Sequence, residues 1–389
     1  MINRQTNQSN KSIKICFVAL GAYPLLVGKT TDNIVGPDVH EVILAKELLK
    51  HGFKISFIMY NGNRKSIEYI NDMELLKIPN NASHLKILNI VLKVFYLWYA
   101  MIKANAHIYV HTGGAAISLF CRLSRKKIIC EIASDAVVNR GIITKKIREF
   151  NRSKFSIDAL VVWLDIKLAD AIVVQSRYQK EMLKRNFNRD SFLIKMPYPL
   201  TERKMPKKKK PPIVLWVGSM AEVKQPELFL RLAEIMPEVK FQMIGGYSRN
   251  NQELYDKVRK NSKRIPNLEF LGCVPFNEVG EYFRQASILV NTSMFEGFPH
   301  AFIQAWMNYV PVVSLNADPD NIIQNEKMGF HSGTFKQLIS DINTLLSDEK
   351  LRKAMGENAR KYVEREHDIK KVVKMYTKIF NQLVCGEYV

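Results

Sequence analysis

Acidic residues are in short supply. The 389 residues carry 37 Asp and Glu against 58 Lys and Arg, a formal net charge of +21. Such an imbalance implies an anionic partner: a phosphorylated substrate, a nucleic acid or an acidic membrane surface. Cysteine is scarce too. The five (Cys16, Cys121, Cys130, Cys273, Cys385) are scattered without a CxxC. An odd, unpatterned set excludes a disulfide scaffold and suits reduced thiols in a cytoplasmic setting. The eight His show no HExxH or similar spacing, so no metal-ligand motif is visible. The start of the chain, Met1 to Ser12, lacks the apolar core of a signal peptide.

What is present is a repeated α/β grammar. The chain is too long for one ordinary core, which predicts two domains. "IKICFVAL" reads as a strand, followed by a loop from Gly21 to Gly36, a helix from about Asp38 to Lys50 and a second strand, "KISFIMY". "AHIYVH", "KIICEIA" and "AIVVQS" continue the pattern. In the second half, "PIVLWVG", "KFQMIGG", "NLEFLG", "ASILVN" and "VPVVSL" read as buried strands, with a helix begun by Pro226. The stretch "YPLTERKMPKKKKPP" between the halves is too basic and proline-rich for a core and reads as a linker, its Lys207–Lys210 run as solvated charge. The expected architecture is two Rossmann-like doubly wound domains facing across a cleft, 1–203 and 204–370, with a helix over 371–389 crossing back to the first. In such sheets ligands bind beyond the carboxyl ends of the strands.

Two second-half stretches carry chemistry. In "VGSMAEVK", a strand ends at Gly218 and Lys224 stands just before a helix. A cation beside a helix N-terminus after a glycine turn suits a diphosphate, although the GK[ST] of a Walker loop is absent. On position alone, an exposed lysine is an equal reading. In "FEGFPHAFIQAW", Pro299 fits the first helical position, where its missing N–H costs nothing. The amides of His300 and Ala301 then lack intrahelical partners and lie at the positive end of the dipole. A carboxylate beside bound phosphate is repelled, so Glu296 is expected to turn towards the hydroxyls of a neutral group. Gln304 can donate and accept at a diol such as ribose. The bland alternatives are a surface loop acid and a mid-helix polar residue.

"WVGSMAEVKQPELFLRLAEIMPEVKFQMIGG" and "ILVNTSMFEGFPHAFIQAWMNYVPVVSL" together resemble the group 1 (family 4-type) retaining glycosyltransferases of the GT-B fold. "KICFVALGAYPL", "GPDVHEVILAKELLKHGFKISF" and "KLADAIVVQSRYQKEMLKRNF" are similar to that family's acceptor-side domain. The resemblance implies transfer of a sugar from a nucleotide sugar with retention at the anomeric carbon, and no divalent metal or other cofactor. It implies that Lys224 contacts the diphosphate and Glu296 the transferred sugar. Backbone groups of Phe298, Pro299, His300 and Ala301 would line sugar and phosphates, beside Gly297. Gly218 and Ser219 end the first strand of the domain. Gly245 and the turn Gly272–Cys273–Val274 would lie near the base, and Gly36 near the donor phosphates. Three positions depart from the family pattern. Gln304 stands where Glu is common, Ser219 where Arg is common, and Ser134–Asp135 where a His often follows the strand. Asp135 is the expected substitute for that His, with a helix-capping Asp as the alternative.

"LKILNIVLKVFYLWYAMIK" (85–103) is apolar all round, but Lys86, Lys93 and Lys103 leave it too short to span a bilayer. It reads either as a helix packed in the first domain's core or as an interfacial helix with its lysines towards lipid phosphates. With the basic run "KKIREFNRSK" (145–154) and the overall charge, it suggests a glycan or lipid-linked acceptor and peripheral association with an anionic membrane at its inner face. A non-catalytic protein binding sugar nucleotide or glycan is the competing class. No nucleic-acid module accompanies the basic surface, so nucleic acid is not an expected partner.

Overall fold

A computed structural model describes residues 13–28, 36–61, 67–80, 86–139, 157–200, 202–247 and 251–386. The basic run 145–154 and much of the loops 21–36 and 133–144 lie outside them. The chain folds as two compact α/β units. Residues 198–368 form one; the described chain up to 27, 36–197 and 369 onwards form the other.

The first unit holds an eight-stranded sheet. Its strands are β1 (Lys14–Val18), β2 (Lys54–Asn61), β3 (Ile67–Ile70), β4 (Met73–Pro79), β5 (Ile108–His111), β6 (Lys127–Ile132), β7 (Ala171–Val174) and β8 (Phe192–Leu193). The order is β3-β4-β2-β1-β5-β6-β7-β8, with all pairs parallel except β3–β4. β1, β5 and β7 read as unbroken apolar runs because helices cover both faces of a parallel sheet. The β3–β4 hairpin is not foreseen from hydrophobic periodicity. Its signal was the dipeptide Asn71–Asp72, both residues at positive φ (47° and 63°), as a two-residue hairpin turn requires. The last helix, Ile369–Cys385, buries Val372, Val373, Tyr376, Ile379 and Phe380 in this unit's core, beside Phe17, Phe53 and Phe57.

The second unit holds a six-stranded, all-parallel sheet ordered β11-β10-β9-β12-β13-β14. Its strands are β9 (Ile213–Val217), β10 (Lys240–Ile244), β11 (Leu268–Gly272), β12 (Ile288–Asn291), β13 (Val312–Ser314) and β14 (Gly329–His331). The chain moves outwards from β9 to β10 and β11, then returns to pair β12 with β9. That reversal creates a crevice beyond the carboxyl ends of β9 and β12.

The basic stretch before β9 corrects one expectation. Met205 to Pro212 belongs to the second unit, and Lys208 is not solvated charge. Its Nζ donates to Asn308 O (2.7 Å) and Phe283 O (3.4 Å), at the C-terminal ends of the helices His300–Met307 and Phe276–Gln285. Last-turn carbonyls lack intrahelical donors, and a lysine supplies one. Burial, with Arg352 nearby, pushes the Lys208 ammonium down to about 7.

Candidate active site

The loops that follow β9 and β12 meet at the switch point and are stapled together. Trp216 Nε1 donates to Thr292 Oγ1 (3.0 Å), which donates to the carbonyl of Lys224 (2.7 Å). Met294 N donates to Val223 O (2.8 Å). This clamp sets the short 3-10 turn Glu222–Lys224 against the loop before the helix His300–Met307. The clamp brings two candidates together: the Lys224 ammonium ion-pairs with Glu296 Oε1. Ser293 Oγ donates to the same oxygen (2.6 Å) and accepts from Asn291 Nδ2 (3.1 Å). Both side chains of the ion pair remain accessible, 25% for Lys224 and 11% for Glu296. Glu296, expected to turn from bound phosphate towards a neutral group, meets the Lys224 ammonium. A carboxylate at a half-buried position keeps its charge more cheaply beside an ammonium than alone.

Pro299 lies one residue earlier than expected. It is the N-cap (φ −70°, ψ 126°), and the helix begins at His300. Its extended ψ turns the carbonyl to accept from Phe302 N (3.1 Å). The amides of His300 and Ala301 are therefore the helix's leading donors. Along this helix His300, Ala301 and Gln304 are half-exposed, whereas Phe302, Ile303, Ala305, Trp306 and Met307 are buried. Residues at i, i+1 and i+4 share one face, so the candidate residues form a single accessible stripe. The negative end of the helix is capped by cations: Arg360 Nη1 donates to Met307 O (2.8 Å), and Lys208 reaches Asn308 O. Tyr198 OH bonds His300 Nδ1 (2.8 Å), fixing the imidazole at the positive end. Phe298 packs its ring on His367 and Trp306, so only its backbone can serve a ligand.

Gly218 and Gly245 are glycines for a steric reason. A Cβ on Gly245 would stand 2.0 Å from Gly218 O, and one on Gly218 would stand 3.0 Å from the Trp216 ring. Gly245 N donates to Gly272 O (2.8 Å), which brings the ends of β10 and β11 alongside. Half-buried Ser219 and Val274 flank this row. Twelve of the fourteen candidates thus lie on the loops, or on the helix His300–Met307 that follows one of them, at the carboxyl end of the second sheet. Gly36 and Asp135 belong to the first unit. Gly36 is the first residue of the helix Gly36–Lys50. Asp135 opens the short helix Asp135–Val138, and its Oδ1 accepts from Gln179 Nε2 (2.9 Å).

Sequence reasoning missed two polar groups of residues. One is Asn291–Thr292–Ser293, whose signal was three hydrogen-bonding residues closing an apolar strand. The other lies in the first unit. Glu131, read as part of the apolar run of β6, is buried; its Oε1 accepts from Tyr376 OH (2.5 Å) and its Oε2 lies 3.3 Å from His40 Nε2. Burial pushes the Glu131 carboxyl up, but His40 and Tyr376 outweigh it and hold it below the usual range. Burial, with Glu131 and Asp38 near, raises the neighbouring Glu41 well above its usual value. Burial also lowers the His111 imidazole at the end of β5, against the pull of Asp165. Among the described residues no group of three or more His, Cys, Asp and Glu is placed to hold a metal ion.

Comparison with known proteins defines the class. Residues 199–362 match the family model described as Glycosyl transferases group 1. An uncharacterized glycosyltransferase of Haemophilus influenzae is 20% identical over 357 residues, 87% of this chain and 94% of that protein. The amylovoran biosynthesis glycosyltransferase AmsD of Erwinia amylovora is 26% identical over 152 residues, 38% of this chain and 42% of its own. Among solved structures, sucrose-phosphate synthase from Thermosynechococcus elongatus superposes with a TM-score of 0.75 at 15% identity, covering 96% of this chain and 100% of that one. Anabaena HepE in complex with UDP-glucose superposes with a TM-score of 0.69 at 12% identity, covering 95% and 100%. The fold is GT-B, and the second unit carries the match to the group 1 glycosyl transferases.

Proposed function

We propose that the chain is a retaining, metal-independent glycosyltransferase. It moves a sugar from a nucleotide-diphosphate sugar to a glycan or lipid-linked acceptor in the synthesis of a cell-surface polysaccharide or glycolipid, from the cytoplasmic side of the membrane. One observation carries this reading: the Lys224–Glu296 pair stands beside the accessible start of the helix His300–Met307, at the switch point of a parallel sheet. The AmsD name and the UDP-glucose in the HepE structure support the acceptor and donor classes respectively.

The chemistry asked of this end of the sheet is mostly electrostatic. As the bond from the anomeric carbon to the diphosphate breaks, negative charge gathers on the phosphate oxygens. The Lys224 ammonium and the amides of His300 and Ala301 are positive groups held ready for it. The acceptor hydroxyl oxygen bonds to the anomeric carbon on the face the diphosphate leaves and gives its proton to the departing phosphate oxygen, which conserves the anomeric configuration. Glu296 accepts from sugar hydroxyls, and Gln304, about one turn beyond the phosphates, from ribose.

A screen of nucleotide sugars by thermal unfolding tests the donor half. A true donor at 100 times its dissociation constant adds about 2.7 kcal/mol of stability. Nuclear magnetic resonance of the first-formed product reads the anomer, and inversion would refute the stereochemistry. Full activity in EDTA is the expected metal result. Stabilisation without turnover on any acceptor would favour the binding-only alternative, which Ser219 and Gln304 motivate.

A further inference from the structure

The helix Lys86–Ala104 is apolar on two opposite sides. Its inner side (Ala100, Met101, Ala104, with Tyr96, Leu97 and Trp98 partly buried) joins the core around β5 and β6. Its outer side carries Leu88 (44% exposed), Val91 (57%), Phe95 (60%), Tyr99 (53%) and Ile102 (65%). Spacings of three and four residues align these five as one stripe. The helix of a water-bathed domain ordinarily turns charged residues to that side. A contiguous apolar stripe of this kind marks a surface that meets something apolar.

Its charge says what that is. From Leu75 to Cys130 the chain contains no Asp or Glu and eight Lys or Arg. Lys103, over the Tyr99 ring (5.7 Å), borders the stripe. The adjoining helix Ala115–Ser124, tied on by Trp98 Nε1 donating to Ala116 O (2.8 Å), adds exposed Leu119 and Leu123 with Arg122 and Arg125. A second copy of this face would set lysine against lysine with no carboxylate to answer. An anionic bilayer supplies both acyl chains for the stripe and phosphates for the cations. No helix among the described residues is long and apolar enough to cross a membrane, which leaves the in-plane arrangement.

We infer that the outer face of the helix Lys86–Ala104 seats the protein on an anionic lipid surface. The helix lies in the plane of the interface, its stripe at the acyl boundary and the bordering Lys103, Arg122 and Arg125 among the headgroup phosphates. This deepens the acceptor half of the transferase reading and rests on it only for placing lipid-linked acceptors within reach.

Flotation of the full chain with phosphatidylcholine vesicles, with and without phosphatidylglycerol, tests the inference. The wild type is expected to float with the phosphatidylglycerol vesicles and far less with phosphatidylcholine alone. Phe95→Ser with Tyr99→Ser and Ile102→Ser should weaken partitioning at least about tenfold. Lys103→Gln with Arg122→Gln should weaken it about fivefold per cation at low salt and little at high salt. Neither variant touches the donor loops, so stabilisation by nucleotide sugars should be unchanged and reports folding. Absence of wild-type flotation, or undiminished flotation of the triple variant, overturns the docking face. So does a sedimentation dimer that the triple variant abolishes, since that assigns the stripe to a second copy. A protein stabilised by nucleotide sugars that does not float loses the docking face alone; one that floats without any such stabilisation keeps the docking face and loses the transferase reading.

Discussion

Replacing Lys224 with Met tests the site from two directions. In the folded protein the ammonium bonds Glu296, which also accepts from Ser293 Oγ, and the carboxylate is only 11% exposed. A hydrogen bond to a charged group contributes roughly 1.5–3 kcal/mol. With the pair still partly wetted, Lys224→Met should cost about 1.5 kcal/mol of stability, the low end of that range. Glu296→Gln should cost less, because Lys224 can turn to water. The double variant should then be more stable than the sum of the single effects predicts, by about 1 kcal/mol, since neither charge is left alone. Urea unfolding of the four proteins measures this cycle. The same lysine is assigned to the donor diphosphate, where a charge-assisted bond would be worth about tenfold to a hundredfold in affinity. Binding must first draw it from Glu296, so a loss near tenfold is expected for Lys224→Met. Additive stability changes would show that the ion pair is mere proximity. Unchanged nucleotide-sugar affinity in Lys224→Met would remove the lysine from the donor site.

Three further outcomes follow from particular contacts. Ser219→Arg places a guanidinium where the family commonly carries one, and should tighten nucleotide-sugar binding about tenfold, read by titration calorimetry; weaker binding would show the loop already full. Tyr376→Phe removes the hydroxyl that donates to buried Glu131 and should cost about 2 kcal/mol at neutral pH. Because the folded Glu131 is held below its unfolded value, that stability is present above the unfolded value and is lost as pH falls through the folded one, so the cost of the variant should shrink in acid. Lys208 is displaced downwards too, folded near 7 against 10.5 unfolded, so the unfolded chain binds more protons between these values. Wild-type stability should therefore rise from pH 7 towards 10 relative to Lys208→Met, measured by urea unfolding, and parallel pH profiles would refute the assignment.

The alternation of apolar runs and helices made the two parallel α/β units legible without coordinates, because strands buried on both faces must be apolar throughout. The donor-side candidates were legible for a related reason: Gly218, Lys224, Glu296 and Pro299 all follow strands, and loops at that end of a doubly wound sheet are where ligands bind. The β3–β4 hairpin was missed because its turn residues, Asn71 and Asp72, leave no mark on hydrophobic periodicity. Glu131 was missed because a buried acid inside a strand is affordable only with His40 and Tyr376 beside it, and these lie far away along the chain.

The sequence alone determined the layered α/β architecture, the excess of positive charge and the chemical character of the donor loops, since these depend on residue type and on neighbours a few positions apart. Only tertiary structure decided that Lys224 pairs with Glu296, that Lys208 is buried against two helix ends, and that the helix Lys86–Ala104 turns one apolar side inwards and the other to the surface. Each of these depends on which distant segment stands opposite. A strand or helix pattern records how much of a residue must be covered; the partner that covers it is chosen when the chain folds back on itself.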